Sequence, residues 1–368
     1  MTLHAPATSS SVHGSATMAP AGAGGDSPDG ATLEWAALVA GLRGGGRIVL
    51  ACHVSPDGDA LGSALAVGLA LRALDVDVVV SFGDDPMEVP ESLGHLPGQD
   101  LLVPPAEVPA DPDVLVAFDT SSLDRLGSLA GLIDSAAATF AVDHHASYTG
   151  FAGHAVVDAS APATAVLAAE LVDRLGVELT ADIATCIYTG LVTDTGSFRF
   201  AGTTPATHEL AARLLATGIR HDLIARRIYD TVAFGYLKVL AAALEAARLE
   251  ESAAGGLGLV WTVVPAALSA GHDVRMEHLE GVIDVLRKAR EAEVALVAKE
   301  DLDGALRISM RSKGAVDVSV VASGLGGGGH RYAAGFTTYD GLPATLDRVR
   351  AGIAAARDGA GPVPTPEG

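Results

Sequence analysis

The sequence predicts an α/β protein: an N-terminal doubly wound, mainly parallel sheet, then a smaller C-terminal α/β domain, with a cleft between them. Three observations lead there. Short apolar runs end in polar side chains, the pattern of parallel strands buried on both faces. Longer Ala- and Leu-rich stretches of helical length lie between them, so strands and helices alternate. The chain has 368 residues, enough for two domains with separate cores.

Residues 1–30 are rich in Ser, Gly, Ala and Pro without apolar periodicity and are expected to be a disordered tail. The first domain is expected over 31–230. Its strands are "RIVLACHV" (47–54), "VDVVVSF" (76–82), "VLVAFDT" (114–120) and "TFAVDHH" (139–145). Helices are expected over 60–74, apolar nearly all round, and over 163–175, 181–191 and 205–216. The stretch 231–250 reads as a linker helix. In the second domain, 251–357, strands are expected at 257–264, 293–299 and 304–311. Helices are expected at about 277–289, 316–323 and 343–356, with "GLGGGGHRYAAGF" before the last of them. Residues 358–368 read as a second disordered tail, and no internal repeat is visible.

Hydrophobic residues make up 49% of the chain and aromatic ones 4%, so Ala, Val and Leu must build the cores. A net charge of −21 argues against coating a long nucleic acid, which requires a basic surface, but leaves room for a small phosphorylated ligand held locally. Two cysteines, Cys52 and Cys186, make no disulfide framework and read as buried thiols. The uncharged stretch 252–271 is interrupted by glycines and Pro265, so it reads as strand and turn rather than membrane span. With no signal-peptide layout at the start, a cytoplasmic location without membrane contact is expected.

The chemistry gathers at the ends of the first domain's strands. His53, Asp57 and Asp59 lie in "HVSPDGDALGS", Asp119 in "AFDTSS", and Asp143, His144 and His145 in "VDHHAS". Asp194, in "LVTDTGSF", follows an apolar helix. Carboxyl ends of parallel strands form the crevice where such sheets bind ligands. Taken singly, each acid has a plain explanation: Asp59 as a helix N-cap, "DHH" as a solvated loop. Recurrence at successive strand ends favours convergence, and converging carboxylates are costly without a cation. Carboxylate and imidazole donors without thiolate suit Mn²⁺, with Mg²⁺ or Co²⁺ as alternatives. The donors exceed the needs of one ion. Two ions about 3.5–4 Å apart, sharing a carboxylate, would use them all and activate a water toward a phosphate ester.

"HVSPDGDALGS", "FDTS", "VDHH" and "TDTGSF" resemble the four motifs of the DHH phosphoesterases, and "GGGGHRYAAG" (326–335) resembles the glycine-rich signature of their DHHA1 domain. The resemblance covers about 34 to 355 and is strongest to the oligoribonuclease and pAp-phosphatase branch. It implies that His53 and Asp57 bind one metal and Asp59 the other. Asp119 would bridge them, with His144 and Asp194 completing the second site. His145 would then be free to act on the substrate, with Asp143 orienting a histidine. The substrates implied are short RNA oligonucleotides, linear dinucleotides and pAp, with no long duplex; a homodimer is implied as well.

Recognition is expected from the second domain. Gly327, Gly328 and Gly329 let the backbone approach a phosphate, and His330 and Arg331 add positive charge. Arg307, Ser309 and Arg311 share one face of the strand in "RISMRSK", either as a phosphate grip or as a solvated face. Within the superfamily the competing activities are a cyclic-dinucleotide phosphodiesterase, a RecJ-like single-strand exonuclease and a pyrophosphatase. From another class, a catalytically silent nucleotide sensor competes.

Overall fold

A computed structural model of the chain describes residues 30–357. The tails expected over 1–30 and 358–368 lie outside the described residues, apart from Gly30, which opens the first helix. The first domain runs α1 (Gly30–Arg43), β1 (Ile48–Cys52), α2 (Gly58–Ala73), β2 (Val78–Phe82), β3 (Val114–Phe118), α3 (Leu132–Ser135), β4 (Ala138–Asp143) and β5 (His154–Val157). Four helices follow: α4 (Thr164–Arg174), α5 (Ala181–Asp194), α6 (Pro205–Ala216) and α7 (His221–Tyr229). Its five strands are all parallel, in the order β2-β1-β3-β4-β5.

Every residue of β1 and β3 is buried, as their unbroken apolar sequences require. The chain leaves β1 to form β2 on one side and returns to form β3 on the other. The β1/β3 boundary is therefore a topological switch point, where the crevice of such a sheet opens. Helix α2 is buried from Gly58 to Leu71, which explains its lack of a polar face. It packs closely on α5: a Cβ at Gly62 would lie 2.5 Å from the Cys186 carbonyl oxygen. Cys52 and Cys186 are free, buried thiols.

The second domain comprises α8 (Phe234–Glu245), β6 (Arg248–Glu250), α9 (Ala253–Gly256), β7 (Leu259–Val264), α10 (Ala266–Gly271), α11 (Gly281–Leu286), β8 (Val294–Glu300) and β9 (Leu306–Ser312). It ends with α12 (Val318–Ser323), β10 (Gly328–His330), β11 (Ala333–Thr338) and α13 (Leu342–Arg357). The six strands lie in the order β10-β11-β9-β8-β7-β6, with β7 and β8 parallel and the other neighbours antiparallel. One face carries α12 and α13 over Leu296, Ile308 and Phe336. The other carries α8 and α11 over Val260, Ala295 and Val297.

Three segments differ from the sequence expectation. Residues 231–250 divide: α8 buries Tyr236, Val239 and Ala243 in the second domain's core, and Arg248–Glu250 pairs antiparallel with β7. The stretch 277–289 is a 3₁₀ turn over Met276–Glu280 followed by a short α11. Within the glycine run, where no strand was expected, Gly328–His330 is a strand paired with β11. Among the described residues no helix is long and apolar enough to cross a membrane.

Adding a methyl group at Gly62 must push α2 away from α5, because the atom it meets is backbone. Gly62→Ala is expected to cost about 1–3 kcal/mol, overpacking a filled interface, and to lower the melting temperature by several degrees. Gly131→Ala, with nothing near its Cβ position, serves as the control and should leave the melting curve in place.

Candidate metal centre

The switch point brings together all six residues expected to hold metal. His53 follows β1 directly, and its Nδ1 faces the Val54 carbonyl at 2.8 Å, leaving Nε2 toward the crevice. Asp57 is the N-cap of α2; its Oδ1 accepts from the Asp59 and Ala60 amides, both at 3.0 Å, while Oδ2 lies 4.0 Å from His53 Nε2. Asp119, just past β3, holds a left-handed backbone (φ 53), a conformation that non-glycine residues keep only under constraint.

The two oxygens of Asp119 face opposite ways. Oδ2 lies 3.5 Å from His53 Nε2, and Oδ1 lies 3.6 Å from His144 Nε2. Around His144 the second group closes, with Asp194 Oδ2 at 3.3 Å and Asp59 Oδ2 at 4.0 Å. Of four groups among the described residues whose donor atoms lie within 4.8 Å of one another, two use only the six expected residues, His53/Asp57/Asp119 and Asp59/His144/Asp194; the other two, Asp119/Asp143/His145 and His144/His145/His330, include His145. At 3.3–4.0 Å these spacings lie at or beyond the long end of hydrogen bonding. They suit donors sharing an ion with bonds of about 2.1 Å, whose neighbouring ligands sit roughly 3 Å apart.

Asp59 also does what the plain explanation assigned to an aspartate, though for a different helix. Its Oδ2 accepts from the Thr164 amide at 2.6 Å and its Oδ1 from the Ala165 amide at 2.7 Å, so it caps α4 from across the fold. Thr164 Oγ1 in turn donates to Asp119 Oδ1 at 2.9 Å. Thr164 was not singled out in the sequence; the signal was a threonine opening an Ala-rich helix.

The electrostatics agree with a site built for cations. Burial, then the carboxylates of Asp119 and Asp194, push Asp59 well above the usual carboxylate range. Burial, Asp119 and Asp57 do the same to Asp194. Asp119 goes the other way: burial opposes its charge, but the His53 hydrogen bond and the nearby imidazoles hold it well below that range. The site thus carries more negative charge than its histidines offset, the condition a divalent ion relieves.

Asp143 ends β4 fully buried. Its Oδ1 accepts from the His144 amide at 2.9 Å and faces His145 Nδ1 at 2.7 Å, while Oδ2 has no hydrogen-bond partner among the described residues. This contact places Asp143 against the His145 ring, the position from which an orienting role was expected. The His145 ring stacks on His330 of the second domain with centroids 4.4 Å apart. His330 is lowered to about 4, through burial against the first domain and the neighbouring His145 and His144 rings.

The other recognition residues separate. Gly327 and Gly329 are required by the sheet, since Cβ atoms there would lie 2.1 Å from the Gly335 oxygen and 2.5 Å from the Ala333 oxygen. Gly328 meets no such crowding. Arg331 donates to the Gly314 carbonyl at 3.0 Å, and Arg307 pairs with Asp301 at 2.8 Å; both guanidiniums are engaged within their own domain. Ser309 is buried on Lys299 and Glu280, with Lys299 Nζ at 2.9 Å and Glu280 Oε2 at 3.1 Å. Arg311 lies on the same strand face without an acid contact among the described residues. Lys299, 2% exposed, went unremarked in the sequence although it is the lone basic residue of an apolar strand.

Residues 47–191 match the family model described as "DHH family, N-terminal domain", and residues 260–356 match "DHHA1 domain". The chain is 35% identical, over 311 residues, to the "Bifunctional oligoribonuclease and PAP phosphatase NrnA" of Thermus thermophilus, an alignment covering 79% of this chain and 84% of that protein. The chain belongs to the DHH family. A Bacillus subtilis protein of the same description is 26% identical over 296 residues, covering 79% of this chain and 89% of that one. Among solved structures, an exopolyphosphatase-related protein from Bacteroides fragilis superposes with a TM-score of 0.80 at 23% identity, covering 89% of this chain and 97% of that one. That likeness shows a shared fold over that span; the DHH and DHHA1 descriptions come from the two family models.

The closeness of α5 to Asp59 makes one residue without a functional group decisive. A Cβ at Gly190 would lie 2.8 Å from both Asp59 Oδ1 and Ala165 Cβ. Gly190→Ala is expected to leave the circular dichroism spectrum intact and to weaken Mn²⁺ binding by about ten-fold or more, the scale of a displaced supporting contact. A Mn²⁺ titration followed by electron paramagnetic resonance measures it.

Proposed function

We propose that this chain is a metal-dependent phosphoesterase that hydrolyses short oligoribonucleotides and linear dinucleotides to mononucleotides, and pAp to AMP and phosphate. The observation that carries the reading is Asp119, whose two oxygens face separate donor sets at a switch point, in a chain 35% identical to a bifunctional oligoribonuclease and PAP phosphatase. His53, Asp57 and Asp119 would hold one divalent ion, and Asp119, Asp59, His144 and Asp194 the other; Mn²⁺ fits this donor chemistry, with Mg²⁺ or Co²⁺ as alternatives. When bound, such ions supply an activated water and positive charge for the phosphoryl oxygens.

The chain's own residues do the rest. His53 and His144 keep Nε2 aimed into the site because Nδ1 faces a carbonyl, Val54 at 2.8 Å and Ala161 at 3.1 Å. Asp143 holds the His145 ring, and burial, which disfavours its proton, is outweighed by Asp143 and Asp119, so its pKa is raised. His145 therefore holds a proton for the leaving oxygen. His330, neutral, stacks on it from the second domain. A single flexible strand fits between an acidic pocket and a small recognition domain; a duplex and a membrane surface do not belong to this reading, and a homodimer and a cytoplasmic setting complete it.

The test is a ladder of 5′-labelled oligoribonucleotides with pAp alongside. Mn²⁺-dependent release of mononucleotides from the shortest rungs, and of phosphate from pAp, is the expected result, abolished by chelation and restored by Mn²⁺. Preference for long single strands would point to a RecJ-like exonuclease, and binding without turnover to a sensor. Asp119→Asn should lower kcat by about 10³-fold or more, the scale of losing a principal charge-stabilising group, and should reduce the Mn²⁺ stoichiometry.

A further inference from the structure

The second domain buries a charge that the hydrolysis does not use. Lys299, near the end of β8, is buried although the rest of its strand up to Glu300 is apolar. Its ammonium donates to Glu280 Oε1 and, at 2.9 Å, to Ser309 Oγ. The Ser309 hydroxyl donates in turn to Glu280 Oε2 at 3.1 Å. The three side chains close a ring in which every direction is fixed. An ammonium only donates and a carboxylate only accepts, so the serine proton belongs to Glu280. Burial opposes the Glu280 charge, but Lys299, then Arg311 and Ser309, outweigh it and hold the carboxyl below its ordinary range.

Stability alone does not account for such a pair, because the cost of burying the lysine roughly cancels the Coulombic gain. The pair is also one-sided. The Lys299 side chain is 2% exposed, whereas that of Glu280 is 55% exposed, so the ammonium is hidden and the carboxylate is presented. The sheet shows where. Arg311 stands in one cross-strand row with Ala333 and His330, paired in register through β11. Residues so paired face the same side of the sheet, and Ser309, two residues before Arg311, shares that side. From this face His330 stacks on His145, beside the metal donors. Two strand spacings across and two residues along put the backbones of His330 and Ser309 about 12 Å apart. One nucleoside can span that distance. Glu280 is fixed over Ser309 by the start of α11, where a Cβ at Gly281 would lie 2.6 Å from the Tyr236 hydroxyl of α8.

We propose that Glu280, held by Lys299 and Ser309, is a specificity residue that accepts a hydrogen bond from a neutral donor on the substrate's nucleoside, a sugar hydroxyl or a base amine. The ring leaves only acceptor lone pairs facing outward, on a carboxylate and on one hydroxyl oxygen. A phosphate oxygen is repelled there, while an O–H or N–H is received. A substrate lacking that donor would cover the carboxylate without pairing it, which is the costly case. The inference rests on the proposed function and adds to it the part of the substrate that the second domain reads.

The experiment uses the full chain with Mn²⁺ and three dinucleotides: pApA, its 2′-deoxy form, and pIpI, which lacks the base amines. On one of the two altered compounds the parent should lose about ten-fold or more in kcat/KM, chiefly through KM, the scale of a hydrogen bond to a charged group. A loss on the 2′-deoxy form assigns the donor to the sugar, and a loss on pIpI assigns it to the base. Glu280→Gln should abolish the difference, since Lys299 takes the amide oxygen and leaves an NH₂ donor where the acceptor stood. Should that variant fail to fold, as its melting curve would show, Ser309→Ala decides in its place: it keeps the ion pair, frees Oε2 and should narrow the difference several-fold. Calorimetry with the uncleavable methylphosphonate forms repeats the comparison as binding. If the parent cleaves none of the three, the proposed function fails while the binding arm still judges Glu280. A parent indifferent to both changes, or a difference left intact in Glu280→Gln, overturns the proposal.

Discussion

Everything in the first domain answers to one electrostatic constraint: Asp57, Asp59, Asp119, Asp143 and Asp194 are crowded at one end of a parallel sheet in a chain already carrying a net charge of −21. Such crowding is tolerable only if each carboxylate is fastened and the surplus charge is met. The fastening is visible. Asp57 and Asp59 cap two different helices, Asp143 is tied to the His144 amide and the His145 ring, and Asp119 takes the Thr164 hydroxyl. Capping and ion-holding use the same oxygens' surroundings, so the helix termini pre-orient the acids before any cation arrives.

That constraint explains the composition around it. Helix α2 carries two of the acids and α5 a third, so the two helices must nearly touch. Small residues make this approach feasible: Gly62 faces the backbone of α5, and Gly190 faces Asp59 itself. The Ala- and Gly-rich interior, low in aromatic side chains, is the packing counterpart of a site that draws its donors from several elements at once.

The fold class, and the convergence of the expected donors on one end of the sheet, were legible in the sequence because both are written locally. Buried parallel strands read as unbroken apolar runs, and each donor sits within a few residues of a strand end or a helix end. What was not legible depends on partners far apart in the chain. Arg307 looked like a phosphate ligand but is held by Asp301 across a tight turn. The glycine run looked like a phosphate cradle, yet two of its members are demanded by the close passage of β11. Lys299 and Glu280 are single residues whose meaning arises only when β8 meets the turn before α11. Residues 231–250 resembled a linker because the apolar face of α8 carries no mark of which domain it will cover.

The stacking of His330 on His145 has a consequence for how such proteins diversify. The ion-holding half is self-contained, but the imidazole that roofs it arrives on a separate module. Exchange of the C-terminal module between relatives would re-specify which ligand is accepted while leaving the hydrolytic half untouched, provided a histidine returns to the same row. Chemistry and selectivity would thus be inherited on different pieces of one chain, joined by the His145–His330 stack and by contacts such as Arg275 with Glu88.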